Sequence, residues 1–348
     1  MLSRRIITVA GCHAEGEVGD VIIGGVLPPA GATMYERMRS MERDHDHIRK
    51  LLICEPRGSV ARHVNLITPP IRPDCDAGLI IMEPTEYPPM SGSNSMCAAT
   101  VLLETGMVAM TEPETIVHLD TPAGRVQVRA DCRGGRVNSV EIVNVPSFVF
   151  HLDHPLEIAG EKLMTVDAAY GGMIYASANA KALGFAIAPD EARDLAVLGE
   201  KIRRAAREQI TCVHPENPGI SGVSIVQFAM PFEGVGKVTR NTCIVSPGRS
   251  DRSPTGTGTS ARMAILHARG QMQVGESMTH ASIIGSQFLG RIVEATSAGG
   301  IPAIVPAIRG RAWMTGLHQY FVDPDDPYPH GYVVSDTWGV GGGTDQQG

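Results

Sequence analysis

The stretch SPTGTGTSAR, residues 253–262, is a loop of small polar residues that leads into a helix, with Thr255 where the helix begins. Glycine and hydroxyl residues at a helix start leave backbone N–H groups open to an anion, here those of Gly256, Thr257 and Gly258. A loop of this composition also serves as an ordinary helix cap. The Asp-Arg pair at 251–252 favours a ligand site. Its carboxylate can bind an ammonium group beside donors that can bind a carboxylate, and an amino acid carries both groups.

The part of the chain around Cys97 shows the same arrangement of a polar loop followed by a short helix. The segments CAATVLLETG (97–106) and TSARMAILHARG (259–270) are rich in small and apolar residues, follow polar loops and end in glycine. They predict two short helices buried on nearly all sides, one in each half of an internally duplicated chain. The first is predicted to open at Cys97, where a helix N-terminus would lower the pKa of the thiol and make it a base or nucleophile. The alternative is a small buried hydrophobe, as most free cysteines are.

Most of the remaining pattern is strand. Short segments rich in Val and Ile alternate with Gly, Pro, Asp and Asn along the whole chain. Two amphipathic stretches, 31–52 and 190–208, predict surface helices. The class is therefore α+β, with sheets around central helices.

Composition excludes several kinds of partner. The chain has 348 residues, 43% apolar and 19% charged, which is enough for two domains with a buried core. A net charge of -7 and a pI near 5.9 without basic runs argue against nucleic acid and acidic membranes, and no apolar run reaches the ~18 residues of a membrane span. Seven scattered cysteines without CxxC spacing argue against disulfides and zinc, which favours the cytoplasm. The expected partner is a small molecule, and a homodimer stays open.

The stretch DRSPTGTGTSARMAILHARG (251–270) resembles the second active-site motif of the proline racemase family, which usually has Cys at the position of Thr255. Further stretches resemble the family in order along almost the whole chain: HAEGEVGDVIIGG (13–25), EPRGSVARHVNLITPP (55–70), SGSNSMCAAT (91–100), TPAGRVQV (121–128), NVPSFV (144–149), YGGMIYA (170–176), ASIIGSQFLGRI (281–292), GRAWMTG (310–316) and DPDDP (323–327).

The resemblance implies the diaminopimelate-epimerase-like fold, with two pseudo-symmetric halves that each curl a mixed sheet around a central helix. The first half is expected over 1–140 plus 306–348 and the second over 141–305. Substrate would lie between the two helix starts, and no cofactor or metal would be needed. Carried over, Cys97 is the first acid/base residue and Thr255 takes the place of the second.

The resemblance also implies the ligands of an imino-acid substrate. Backbone N–H groups of Ala98 and Ala99 in one half, and of Gly256 and Thr257 in the other, would hold the carboxylate, and Asp251 would hold the ring ammonium. The usual first motif continues from Cys with Gly and His, where this chain has the two alanines, so recognition of the ring is expected to differ. His13 is one candidate to replace that imidazole.

Thr255 favours one of two reactions at the α-carbon, inversion or loss of water. An alkanol is too weak a base near pH 7 to replace a thiolate, so inversion by two bases is disfavoured, whereas loss of water needs one base. The function predicted is cofactor-independent dehydration of trans-3-hydroxy-L-proline to 1-pyrroline-2-carboxylate, the activity of the Cys/Thr members that this chain resembles. Cys97 would remove the α-proton, and Thr255 would orient substrate or the leaving water. Proline racemase, 4-hydroxyproline 2-epimerase and a catalytically silent imino-acid-binding protein are the alternatives.

Overall fold

The computed structural model describes residues 5–338, so the ends of the predicted first half, 1–4 and 339–348, lie outside it. The chain forms two compact units. One comprises the residues up to Ile142 together with those from Gly310 onward, and the other is Val143–Arg309. No helix in the described part of the chain is both long and apolar enough to cross a membrane.

The first unit is a curled mixed sheet around one buried helix. Its elements are β1 (Arg5–Ala14), β2 (Glu17–Gly24), α1 (Met34–Asp44), α2 (Asp46–Ile53), β3 (Arg62–Thr68), β4 (Ala77–Met82), α3 (Gly92–Glu104), β5 (Glu114–Thr121), β6 (Gly124–Arg133), β7 (Arg136–Val143), β17 (Ala312–Val322) and α6 (Ser335–Trp338). Strands pair in the order β17–β1–β2–β3–β4–β5–β6, and helix α3 packs chiefly on β1, β2 and β17.

The second unit is a barrel around one buried helix, α5. Its elements are β8 (Ser147–Leu156), β9 (Met164–Tyr170), β10 (Ile174–Asn179), α4 (Ala192–Gln209), β11 (Ile225–Ala229), β12 (Val238–Val245), β13 (Arg249–Ser250), α5 (Gly256–Ala268), β14 (Ser277–Ala281), β15 (Gln287–Ala298) and β16 (Ile301–Gly310). The strand pairings close into a ring, β8–β9–β10–β11–β12–β14–β15–β16 and back to β8.

The two units repeat one order of connections. In the first, the antiparallel pair β1–β2 is followed by parallel β3 and antiparallel β4, and then α3 leads to parallel β5 and antiparallel β6. In the second, β9–β10 is followed by parallel β11 and antiparallel β12, and then α5 leads to parallel β14 and antiparallel β15. Parallel neighbours require such crossovers. The predicted fold, two halves with one central helix each, is confirmed.

Two of the predicted helical segments differ from the prediction. The segment 31–52 forms two helices that are interrupted at His45, whose φ of -131° is not helical. The central helix of the first unit begins at Gly92, five residues before the predicted start at Cys97. Helix α5 begins at Gly256, with Thr255 as its N-cap, as predicted.

Helix α5 lies so close to the turn between β9 and β10 that only glycine fits there. A Cβ at Gly171 would lie 2.2 Å from the carbonyl oxygen of Thr257 and 2.6 Å from the backbone nitrogen of Ala261. We expect Gly171→Ala to lower the free energy of unfolding by about 2–4 kcal/mol, because backbone must shift to admit the methyl group. Urea unfolding measures this. Gly24→Ala is the control, since the nearest atom to its Cβ would be 3.7 Å away, and an equal loss in both variants would contradict the account.

Candidate active site

The first helix start consists of Ser91 and the backbone N–H groups of Gly92, Ser93 and Asn94. Ser91 is the N-cap of α3, and its carbonyl accepts the first helical bond from the Ser95 nitrogen at 3.0 Å. The three N–H groups that precede this bond have no partner within the helix. They also have none elsewhere in residues 5–338. The first helix start therefore presents a hydroxyl beside a set of anion-binding donors.

A buried amide network fixes the Ser91 side chain. The Asn94 amide nitrogen donates to Ser91 Oγ at 2.9 Å and lies 3.1 Å from His63 Nδ1. Asn65 donates in turn to Asn94 Oδ1 at 2.9 Å. The contacts of Ser91 Oγ in the described chain are this amide and the Ser93 hydroxyl at 3.5 Å. Neither of them is a base, so Ser91 can donate a hydrogen bond but has no group to activate its hydroxyl for proton transfer.

Behind the network, His63 lies between two buried carboxyl groups. Its Nε2 is 3.5 Å from Glu17 Oε1, and its Nδ1 is 3.5 Å from Glu83 Oε1. All three side chains are buried. Sequence reasoning missed this cluster, because the three residues come from β2, β3 and the position after β4, and no local motif joins them.

The second helix start consists of Thr255 and the backbone N–H groups of Gly256, Thr257 and Gly258. Thr255 has φ of 63° and ψ of 111°, a backbone conformation that is unusual for any residue except glycine and strained for a β-branched one. Its carbonyl accepts the first helical bond from the Thr259 nitrogen at 2.8 Å. The strain persists because the flanking loop holds Thr255 in place: its backbone nitrogen donates to Ser253 Oγ at 3.1 Å.

The hydroxyl of Thr255 is paired with a carboxylate. Thr255 Oγ1 donates to Asp251 Oδ2 at 3.0 Å, and the other carboxylate oxygen accepts from the Ser253 nitrogen at 2.8 Å. Both side chains are buried. A hydroxyl that is hydrogen-bonded to a carboxylate can pass its own proton to it while accepting another, which is how an adjacent base activates a weak oxygen nucleophile or base. This pairing has no counterpart at Ser91 within the described contacts.

Polar side chains from the barrel support the second helix start. Asn241 donates to the carbonyl of Pro254 at 3.0 Å, and the hydroxyls of Thr257 and Tyr175 are 2.6 Å apart. Cys243 lies against this start, and burial raises the pKa of its thiol far above the ordinary value, with the nearby Thr255 hydroxyl opposing the rise in part. Sequence reasoning missed Cys243, which reads as one more apolar residue of β12.

Cys97 does not stand at a helix start, which corrects the prediction. It lies in the second turn of α3, fully buried, with its sulfur 3.0 Å from the position of a Cβ at Gly19. Burial raises the pKa of its thiol well above the ordinary value, and the neighbouring Cys12, Asp20 and Glu17 raise it further. The group is therefore a neutral thiol near pH 7, which disfavours the predicted role of Cys97 as the base.

The same shift of the helix start corrects the predicted carboxylate ligands in the first unit. Ala98 and Ala99 are interior residues of α3, so their N–H groups belong to the i to i−4 ladder and are not open to an anion. The donors that take their place are those of Gly92, Ser93 and Asn94. The predicted donors in the second unit, Gly256 and Thr257, do lie in the open first turn of α5.

His13, the candidate to replace the usual imidazole of the first motif, has structural contacts. His13 stacks on Trp313, with ring centroids 5.2 Å apart, its Nδ1 accepts from the Gly16 nitrogen at 3.2 Å, and burial lowers its pKa. No group of three His, Cys, Asp or Glu residues in the part of the chain that the structure describes is placed to hold a metal ion. In the histidine-containing stretch DHDH (44–47), the carboxylates of Asp44 and Asp46 pair with Arg43 and Arg49.

His280 contacts α5 and is expected to make the free energy of unfolding depend on pH. Its Nδ1 is 2.9 Å from Thr259 Oγ1, and burial lowers its pKa to about 3. In the unfolded chain His280 takes up a proton near pH 6.5, whereas in the folded chain it stays neutral down to about pH 3. The free energy of unfolding should therefore fall as the pH drops from about 6.5 towards 3, by up to ~1.4 kcal/mol per pH unit. Urea unfolding of wild type and His280→Gln at pH 7, 6, 5 and 4 tests this. We expect the variant to lose less stability over this range, and parallel pH profiles would contradict the assignment.

Comparisons with known proteins identify the family. The family model described as proline racemase matches residues 9–333. A hydroxyproline epimerase from Agrobacterium vitis, solved with bound trans-4-hydroxy-L-proline, is 40% identical with a TM-score of 0.93, covering 98% of this chain and 99% of that one. A probable proline racemase from Agrobacterium radiobacter K84, solved with bound carbonate, is 41% identical with a TM-score of 0.92, covering 96% and 98%.

A more distant structure shares the fold alone. The predicted epimerase PA4716 from Pseudomonas aeruginosa is 14% identical with a TM-score of 0.53, covering 91% of this chain and 99% of that one. The family model spans nearly all of the described residues, and two structures at 40% identity or more cover both chains almost completely. The chain is therefore a member of the proline racemase family.

Proposed function

We propose that the protein is a cofactor-independent hydro-lyase that removes water from trans-3-hydroxy-L-proline and yields 1-pyrroline-2-carboxylate. Membership of the proline racemase family supports chemistry at the α-carbon of a small imino acid. The relative from Agrobacterium vitis, with its bound hydroxyproline, supports a ring-hydroxylated substrate. The choice of water loss over inversion rests on the residues of the two helix starts, Ser91 and Thr255.

The observation that carries the proposal is the difference between the two hydroxyls. Thr255 donates to a buried carboxylate at 3.0 Å, whereas the described partners of Ser91 are an amide and another hydroxyl. Inversion needs a proton-exchanging group on each face of the α-carbon, and elimination needs one base. One activated hydroxyl therefore favours elimination.

The stereochemistry of the substrate suits one acid/base unit. In trans-3-hydroxy-L-proline the α-hydrogen and the 3-hydroxyl lie on the same face of the ring. Thr255 Oγ1 takes the α-proton while its own proton moves to Asp251, and the electron pair of the broken C–H bond is delocalised into the carboxylate. Thr255 then protonates the 3-hydroxyl and takes its proton back from Asp251. The C3–O bond breaks, water leaves, and the electron pair forms the C2–C3 double bond. The enamine product then rearranges to 1-pyrroline-2-carboxylate.

The remaining groups bind the substrate. Open N–H groups at a helix start stabilise a carboxylate and the negative charge that it gains as the α-proton leaves. We assign this role to the donors of Gly256 and Thr257 together with those of the first helix start. Ser91 is a hydrogen-bond donor in this scheme. A carboxylate can accept several hydrogen bonds at once, so the contact of Asp251 with the ring ammonium stays part of the proposal.

A second candidate is 2-epimerisation of 4-hydroxyproline. It is favoured by the 40% identity with a hydroxyproline epimerase solved with trans-4-hydroxy-L-proline. This reaction would require Ser91 to exchange protons without a neighbouring base, which is the step that the described contacts of the first helix start disfavour.

The test is an assay of purified protein with trans-3-hydroxy-L-proline, trans-4-hydroxy-L-proline and L-proline in separate reactions. Chiral chromatography measures inversion at the α-carbon, and trapping of the cyclic imine with 2-aminobenzaldehyde measures water loss. We expect imine from the 3-hydroxy compound and no inversion of the other two. Inversion of the 4-hydroxy compound without imine would overturn the proposal in favour of the epimerase.

A further inference from the structure

The second unit contains a polar cavity of about 340 Å³ that the proposed reaction does not use. It lies beside the carboxyl-terminal half of α5, and its wall includes Arg262 and the C-cap residue Arg269. Thr255 and the open N–H groups of the second helix start do not line it. The other walls come from β8, β9, β10 and the end of β11 with the residues after it, and they include Asp153, Asp167, Asn179 and Met230.

The two arginines of the cavity differ in their partners. Arg269 is paired with two carboxylates, since its guanidinium contacts both oxygens of Asp153 at 2.8 and 3.0 Å and Asp167 at 2.7 Å. Arg262 makes one long hydrogen bond, from Nη2 to the Met230 carbonyl at 3.4 Å. Its Nε is buried without a partner, and no carboxylate in the described residues forms an ion pair with it. A guanidinium stays protonated and carries five N–H donors, of which the described hydrogen bonds of Arg262 use one, at Nη2, so this residue of the cavity wall is suited to an anionic group.

We infer that this cavity is a binding site for a small oxyanion, a carboxylate or phosphate group that is held by Arg262. The formal charges of Asp153, Asp167, Arg262 and Arg269 cancel, so the cavity suits a group of low charge rather than a polyanion. Asn179 at the rim adds an amide nitrogen as a further donor, since its Oδ1 is the atom that accepts from the Ala182 nitrogen at 3.1 Å. The inference is independent of the proposed reaction.

The experiment is NMR of full-length protein labelled with ¹⁵N-arginine, titrated with sodium phosphate or sodium acetate at constant ionic strength. The Nε–H signal of Arg262 is identified as the one that is missing in Arg262→Lys. We expect this signal to shift saturably with at least one anion. A response to phosphate alone identifies a phosphate group as the ligand, and a response to acetate identifies a carboxylate. No saturable shift with either anion would overturn the inference.

An added charge at the rim provides a second test that leaves Arg262 in place. Asn179→Asp keeps the oxygen that accepts from Ala182 and adds a negative charge to the cavity wall. We expect it to raise the apparent Kd about tenfold, because a like charge beside a bound anion opposes binding. Asn217→Asp is the matched control, because Asn217 caps a turn in the same way, through a bond from the Gly219 nitrogen at 3.1 Å, and does not line the cavity. Equal Kd values in the two variants would contradict the site.

Discussion

Asp251→Asn is expected to reduce kcat for water loss by a factor of about 10³, because the amide cannot hold the proton that Thr255 passes on. Thr255→Ala should lose a factor of about 10² to 10³, since it removes the hydroxyl that connects the α-carbon to the carboxylate. Thr255→Ser is the matched control. It keeps the hydroxyl at the same position, and we expect it to retain activity within about tenfold of wild type.

Cys97→Ala completes this set of variants. If the fully buried Cys97 thiol only packs in the second turn of α3, this variant keeps kcat near the wild-type value and loses some stability. The rate of imine formation gives kcat and KM, and circular dichroism checks that each variant is folded. An inactive but folded Cys97→Ala variant beside an active Asp251→Asn variant would return the role of base to the thiol.

The double variant Ser91→Cys/Thr255→Cys is expected to gain exchange and inversion at the α-carbon of trans-4-hydroxy-L-proline. A thiol at either helix start would lie beside open N–H groups, which lower its pKa and favour the thiolate. Two such groups would supply the pair of bases that inversion needs. We expect the rate of inversion to exceed that of wild type by at least about a hundredfold, and to rise with pH as the thiols ionise.

The single variants serve as controls for this gain. Ser91→Cys and Thr255→Cys each introduce one thiol, so each should exchange the α-proton with solvent far better than it inverts the centre. Chiral chromatography measures inversion, and mass spectrometry in D2O measures exchange. A double variant that binds the substrate and shows neither reaction would mean that the two helix starts do not act on the α-carbon.

The α+β class and the two-fold repetition could be predicted from the sequence pattern, because the combination of a polar loop, a short apolar helix and strands occurs once in each half. The diaminopimelate-epimerase-like fold itself was implied by the resemblance to the proline racemase family. The start of α5 could be predicted as well, since Thr255 is followed by a regular pattern of glycine and hydroxyl residues and then by an apolar helix. Asp251, Gly256 and Thr257 accordingly lie at the second helix start.

The start of α3 could not be predicted from capping preference, because SGSNSMC offers several good N-caps in succession. Serines at 91, 93 and 95 have the same intrinsic preference for capping, so propensity alone does not choose between them. The comparison of the two helices resolves the ambiguity: α3 and α5 both begin with glycine after a hydroxyl residue, Ser91-Gly92 in one and Thr255-Gly256 in the other.

The network around His63 and the weakly paired guanidinium of Arg262 could not be predicted at all. Their partners come from segments that are far apart in the chain, and whether a buried polar group finds a partner depends on the packing of those segments. Residue type alone does not show whether a buried polar group has a partner.

In the proposed reaction a single acid/base unit acts on the α-carbon. Proton NMR of wild-type protein with trans-3-hydroxy-L-proline in D2O tests this, by following the α-proton of the remaining substrate as product forms. We expect conversion to the cyclic imine while the remaining substrate keeps its L configuration. Accumulation of the D-configured epimer, with deuterium at the α-carbon and without imine, would contradict it.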